Sequence, residues 1–196
     1  MPPRKVSISS KTSPEFRTLC EERLDPLLAD IHTMLQLPRS EVGLEAGCNL
    51  SCALVLCAIV AGLSDEYFRA TIGPTLCDKP SYEEKFREVL ARFFPWSDLD
   101  VPSHSTNEAI AELYRQIRHP LVHSLGQPKK HISRTAEPNV AKRSYTAEEL
   151  KNVEQSNDPP SYICPVMKKV SGRWTLNLLG LYWGVRRMVF NVSVRI

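Results

Sequence analysis

None of the six cysteines in this chain belongs to a CxxC pair, so the usual spacings of zinc sites and thiol-redox centres are missing. Neither charge is in strong excess: 25 Lys and Arg against 22 Asp and Glu leave a net +3. That balance does not announce a nucleic-acid binder, so any such case must rest on where the charges lie. No internal repeat or low-complexity tract is present, which argues against solenoids and biased linkers. The basic N-terminal stretch MPPRKVSISSKTS has no apolar run behind it. No secretory signal is therefore expected, and reduced thiols in a cytoplasm are the expectation.

One long uncharged stretch exists, from Ala46 to Ser64. Asn49, Ser51 and Ser64 interrupt it and its apolar heart is short, so it reads as a buried core helix in preference to a membrane span. Cys48, Cys52 and Cys57 lie within it, where free thiols behave as small buried hydrophobes. Cys48 and Cys52 have the spacing to share a metal, but no further pair of ligands is evident.

A chain of 196 residues is long enough for one domain with a real core and short for two. Residues 1–12 read as a loose tail, and residues 13–196 as a single helical domain. Ser13-Pro14 offers an N-cap with proline at the first helical position. Phe16, Leu19, Cys20 and Leu24, then Leu27, Leu28, Ile31, Met34 and Leu35, follow at helical spacing. Pro26 makes this either one kinked helix or two helices end to end. A second helix, from about Arg39 to Gly62, is apolar nearly all round in its second half and is expected to be the most buried element. A third begins at Ser81 with Glu84 completing a capping box, and carries Phe86, Val89, Leu90, Phe93 and Phe94 on one face before Pro95. A fourth begins at a second capping box, Ser105 and Glu108, with Ile110, Leu113, Tyr114, Ile117 and Leu121 on one stripe.

Residues 127–160 are polar and proline-punctuated and read as an irregular basic insertion, with a short helix near Ala147–Gln155. Ile163–Val170 and Arg173–Leu178 read as strands of a small hairpin around Ser171-Gly172. An apolar helix from about Leu179 closes the chain. The fold class expected is mainly α: a bundle of four or five helices with a small β-hairpin before the last one.

The fourth helix ends in RHPLVH, with Arg115, Arg118, His119 and His123 crowded around Pro120. Cations near a helix C-terminus complement its dipole by about 0.3–1 kcal/mol each, which is the plain structural account. The chemical account starts from the residue types. Guanidinium binds phosphate oxygens in bidentate fashion, and imidazole, with an unperturbed pKa of about 6.5, moves protons near neutral pH. On a straight helix Arg118 and His123 lie about 140° apart. A shared ligand therefore needs distortion at Pro120 or a second copy of the site across a homodimer.

The run LYRQIRHPLVHS, after a long buried helix and an FREVLARFFPW helix, resembles the HEPN family of all-helical domains. RWTLNLLGLYWGVRRMVF is similar to the C-terminal part of some bacterial members. The family's R-x4-6-H motif maps onto Arg118 and His123. The position after the arginine, often asparagine in the family, is His119 here. The resemblance covers residues 15–190. It implies metal-independent endoribonuclease activity on an RNA phosphodiester, with Arg118 and His123 as the catalytic pair, His119 assisting, and a homodimer assembling the site. Other members are non-catalytic dimerisation or partner-binding modules, and some are toxins held by an antitoxin.

No cofactor or metal is expected. His119 and His123 have a spacing seen in metal pairs, but Pro120 distorts it and no carboxylate is near in sequence. Lys129, Lys130 and Arg134, together with Arg115, are the candidate RNA contacts; the alternative for the basic segment is a solvated loop. Trp174, Tyr182 and Trp183 fit core packing better than base stacking.

Overall fold

The computed structural model describes residues 8–37, 48–72, 80–96, 106–119, 139–140, 148, 167–170 and 173–196. These are mainly helical, with five helices. The first, α1, joins Pro14–Leu19, Cys20–Leu24 and Asp25–Gln36 end to end. The others are α2 (Asn49–Ile72), α3 (Tyr82–Phe93), α4 (Thr106–Glu112 continued by Leu113–Arg118) and α5 (Leu178–Ser193). Short strands pair as backbone: β1 (Asn139–Val140) runs parallel to β3 (Arg173–Leu176), and β3 runs antiparallel to β2 (Met167–Val170). Residues 120–138, 141–147, 149–166 and 171–172 lie outside the described residues. With them lie the expected basic insertion apart from Asn139, Val140 and Glu148, and the turn expected between the last two strands.

Local chemistry sets the helix ends. The Ser13 hydroxyl accepts from the Phe16 N–H with Pro14 at the first helical position. At α3 both halves of the capping box form: the Glu84 N–H donates to Ser81 Oγ at 3.2 Å and the Ser81 N–H to the Glu84 carboxylate at 2.6 Å. That hydrogen bond holds the Glu84 carboxyl below its ordinary range. Asn177 caps α5 by accepting from the N–H groups of Leu179 and Gly180.

Pro26 neither ends nor divides α1. The turn before it, Cys20–Leu24, is a π-turn, closed by the Asp25 N–H donating to the Cys20 carbonyl. A proline ring crowds the carbonyl four residues back and supplies no N–H of its own. A turn widened by one residue relieves both, so the helix continues through the proline.

α2 is central, packed against α1, α3, α5 and the end of α4. It is long and apolar enough, by length and composition, to cross a membrane, and half of its most apolar window is buried within the protein. The most buried element is instead α5, where every residue from Leu178 to Val185 is buried. Its position against the other helices requires this. Tyr182 meets His32 of α1, Asn191 donates to the Phe93 carbonyl at the end of α3, and a Cβ on Gly184 would sit 2.0 Å from Phe94 Cζ.

Residues 8–12 are not a loose tail. The Ser9 N–H donates to Ser193 Oγ at 2.9 Å, the Thr12 hydroxyl donates to the Ser193 carbonyl at 2.8 Å, and Thr12 is buried. That carbonyl is one of those a helix end leaves without an internal partner. The pairing spans nearly the whole chain, beyond the reach of any local sequence signal.

Candidate functional site

The end of α4, like the middle of α1, holds a π-turn. Leu113–Arg118 is π-helical, and the His119 N–H donates to the Tyr114 carbonyl, one residue before Pro120. Leu113, Tyr114 and Ile117 are buried and anchor the turn in the core. Phe86 of α3 meets the Tyr114 ring edge-on at 5.5 Å and fixes it.

The turn gathers the side chains of Tyr114, Arg118 and His119. The Arg118 guanidinium lies over the Tyr114 ring, 5.1 Å from its centroid. Arg118 Nη1 donates to the Tyr114 hydroxyl at 3.4 Å. That distance exceeds the usual range for a strong hydrogen bond, so the ring face carries more of the contact than the hydroxyl. The His119 ring lies 6.3 Å from the Tyr114 ring, tilted by 36°. His119 is exposed and Arg118 half-buried.

The two arginines of this turn differ in their partners. Arg115 is exposed and pairs at 2.8 Å with Glu112, a buried carboxylate one turn back. Its charge is already answered within the helix. Among the described residues no carboxylate pairs with Arg118. Its charge acts on the Cys57 thiol of α2 in the sense that favours the thiolate. Burial nevertheless dominates at Cys57 and pushes the thiol up to about 12, so it remains a neutral thiol.

A second tyrosine–arginine pair has similar geometry. In α5 Arg186 lies 5.7 Å from the Tyr182 ring centroid, and its Nη1 donates to the Tyr182 hydroxyl at 3.4 Å. His32 lies 6.5 Å from that ring and contacts Gln36 through Nε2 at 2.9 Å. The parallel is visible in the sequence as LYRQIR against LYWGVR.

Of the residues singled out from sequence, Arg118 and His119 are brought together on Tyr114, and Arg115 is turned to Glu112. His123, Lys129, Lys130 and Arg134 lie outside the described residues, as does Pro120. By spacing alone Tyr114 belongs to the core stripe. Its second role depends on the π-turn, which apolar periodicity does not register. Among the described residues no three of His, Cys, Asp and Glu gather into a group able to hold a metal ion. Comparison with known proteins finds no matching family model, curated protein or solved structure.

Proposed function

We propose that this chain is a HEPN-type domain and a metal-independent endoribonuclease, with Arg118 as the phosphate-binding cation. The observation that carries the reading is the partner set of Arg118. A half-buried guanidinium loses hydration, and proteins ordinarily compensate that loss with a carboxylate. Here it is held by a phenol ring, which orients the cation without neutralising it. Such a group remains able to take an anion, and the planar fork of arginine suits the two non-bridging oxygens of a phosphodiester.

On this reading the RNA 2′-OH attacks the adjacent phosphorus, and the bond to the 5′-oxygen breaks. The products are a 2′,3′-cyclic phosphate and a free 5′-hydroxyl. Arg118 stabilises the charge that builds on the non-bridging oxygens. A histidine accepts the 2′-OH proton and a histidine returns one to the leaving oxygen. His119 and His123 are the histidines of the motif that supply these roles. The resemblance of LYRQIRHPLVHS to the family motif supports the assignment. It brings with it a homodimer that completes the site; the strand pattern around Ser171-Gly172 adds a small β-hairpin ahead of α5, and the expected reduced thiols add action in the cytoplasm. Lys129, Lys130 and Arg134, in the basic segment that follows the motif, join the reading as RNA contacts. An antitoxin or other protein partner belongs to the same reading.

The test is cleavage of a mixed RNA pool in excess chelator. The wild type is expected to yield ends bearing 2′,3′-cyclic phosphate, and Arg118→Ala and His123→Ala to lose about 100-fold or more in rate. Equal background from the wild type and both variants ends the nuclease reading. RNA binding that depends on Arg118 without any cleavage supports a non-catalytic binding module instead.

A further inference from the structure

Tyr114 touches both Arg118 and His119, and helix geometry makes that unusual. On a regular α-helix, positions four and five residues on from a given side chain lie about 40° and 140° around the axis from it. Only the first is a neighbour. A π-turn spreads an extra residue over the same turn, so both positions come to flank the side chain. In this protein Arg118 is four residues on from Tyr114 and His119 is five residues on. Both contact its ring, and the turn between them is the π-turn.

Tyr114 is itself held from below. It is buried, and Phe86 of α3 packs edge-on against it. A ring clamped on one side by the core and presenting its face to a guanidinium fixes the direction of that guanidinium. Arg118 has no ion pair among the described residues to do so, whereas Arg115 in the same turn is fixed by Glu112.

We propose that Tyr114 is the positioning residue of this site, carrying Arg118 on its ring face and setting His119 beside it. The inference rests on the reading of Arg118 as a phosphate ligand.

The experiment is a double-mutant cycle on RNA binding by the full chain. The probe is a fluorescent 2′-O-methyl oligonucleotide, which has no free 2′-OH and so is not consumed by cleavage. Tyr114→Leu is expected to weaken binding about tenfold in the wild-type background and not at all in the Arg118→Ala background. Tyr114→Phe keeps the ring face and is expected to recover all but about two- to threefold of that loss. The salt dependence provides a readout that a merely structural role would not move. The slope of log K against log salt is expected to fall by about 0.7, one single-strand phosphate contact, in Tyr114→Leu as in Arg118→Ala.

Circular dichroism at the assay temperature establishes that each variant is folded. Equal losses from Tyr114→Leu in the two backgrounds overturn the inference, as does a Leu variant that binds as well as the Phe variant. A wild type that fails to bind the oligonucleotide overturns it too. A wild type that binds but cleaves no RNA ends the nuclease reading alone, and the cycle still decides the role of Tyr114.

Discussion

The π-turn of α1 closes at Asp25, before Pro26, and that of α4 closes at His119, before Pro120. In both, a π-turn stands directly ahead of a proline in the sequence, and in α1 the extra residue lets the helix continue through the ring. The side chains on the two turns differ. In α1, Cys20 and Leu24 point into the core while Glu21, Glu22 and Arg23 are exposed. In α4, Leu113, Tyr114 and Ile117 fill the core, but Arg118 is half-buried with them. A π-turn before a proline is therefore a backbone solution with no chemical meaning of its own. The partly desolvated cation on the second turn separates a structural turn from a candidate site.

The largest expected effect is a crossed pair of phenotypes. Leu24→Ala leaves a cavity in the core beside the first turn and is expected to cost about 2–5 kcal/mol of stability. RNA binding by the variant, measured where it remains folded, is expected to be unchanged. Arg118→Ala is expected to weaken RNA binding about tenfold and to slow cleavage about 100-fold or more, yet change stability by no more than about 1 kcal/mol, because losing the ring contact is offset by releasing a poorly hydrated charge. Chemical denaturation and the cleavage assay together check both. If Arg118→Ala destabilises as much as Leu24→Ala, the arginine is a structural strut and the contrast between the turns disappears.

A smaller effect separates the two prolines. Replacing either with alanine restores an N–H that is able to donate to the carbonyl four residues back, and so pulls the π-turn toward a regular one. In α1 the residues on both sides of Pro26 are locked: Leu24, Leu28 and Ile31 are all buried. Pro26→Ala is expected to shift stability by less than about 1 kcal/mol and leave RNA binding alone. Pro120→Ala is expected to weaken binding several-fold at unchanged stability, since the gap between Tyr114 and His119 depends on the widened turn. Equal behaviour of the two variants in the binding assay would break the comparison.

What was legible in the sequence was what short-range chemistry encodes. Ser81 and Glu84 announce the start of α3, and Ser13-Pro14 that of α1, because caps are local. Phe86, Val89, Leu90 and Phe93 announce the buried face of α3, because a regular helix repeats it. The π-turns were not legible. The stripe Ile110, Leu113, Tyr114 and Ile117 reads equally well as regular helix, and one added residue shifts the face only beyond it. Arg118 was found by its motif, but the feature that makes it a candidate, a phenol where a carboxylate is expected, depends on the fold. The docking of Ser9 and Thr12 on Ser193 was invisible because its partners stand at opposite ends of the chain.

The smallest expected effect concerns the two buried thiols beside the turns. Burial is the main cause that pushes Cys20 up to about 12, with Asp25 and Glu21 adding to it and Arg17 opposing. Burial does the same at Cys57, where Arg118 opposes it. At pH 8 both stay protonated and enclosed, so alkylation requires opening of the protein around them. Pulse labelling with iodoacetamide, read by mass spectrometry, is expected to modify half-buried Cys48 first and then Cys20 and Cys57 at matching rates, through a common unfolding event. A Cys57 that labels well ahead of Cys20 would mean that the end of α4 opens while α1 stays closed. The π-turn that carries the cation would then be held less firmly than the one that carries only core, and Phe86 would not be the clamp on Tyr114 that its edge-on contact indicates.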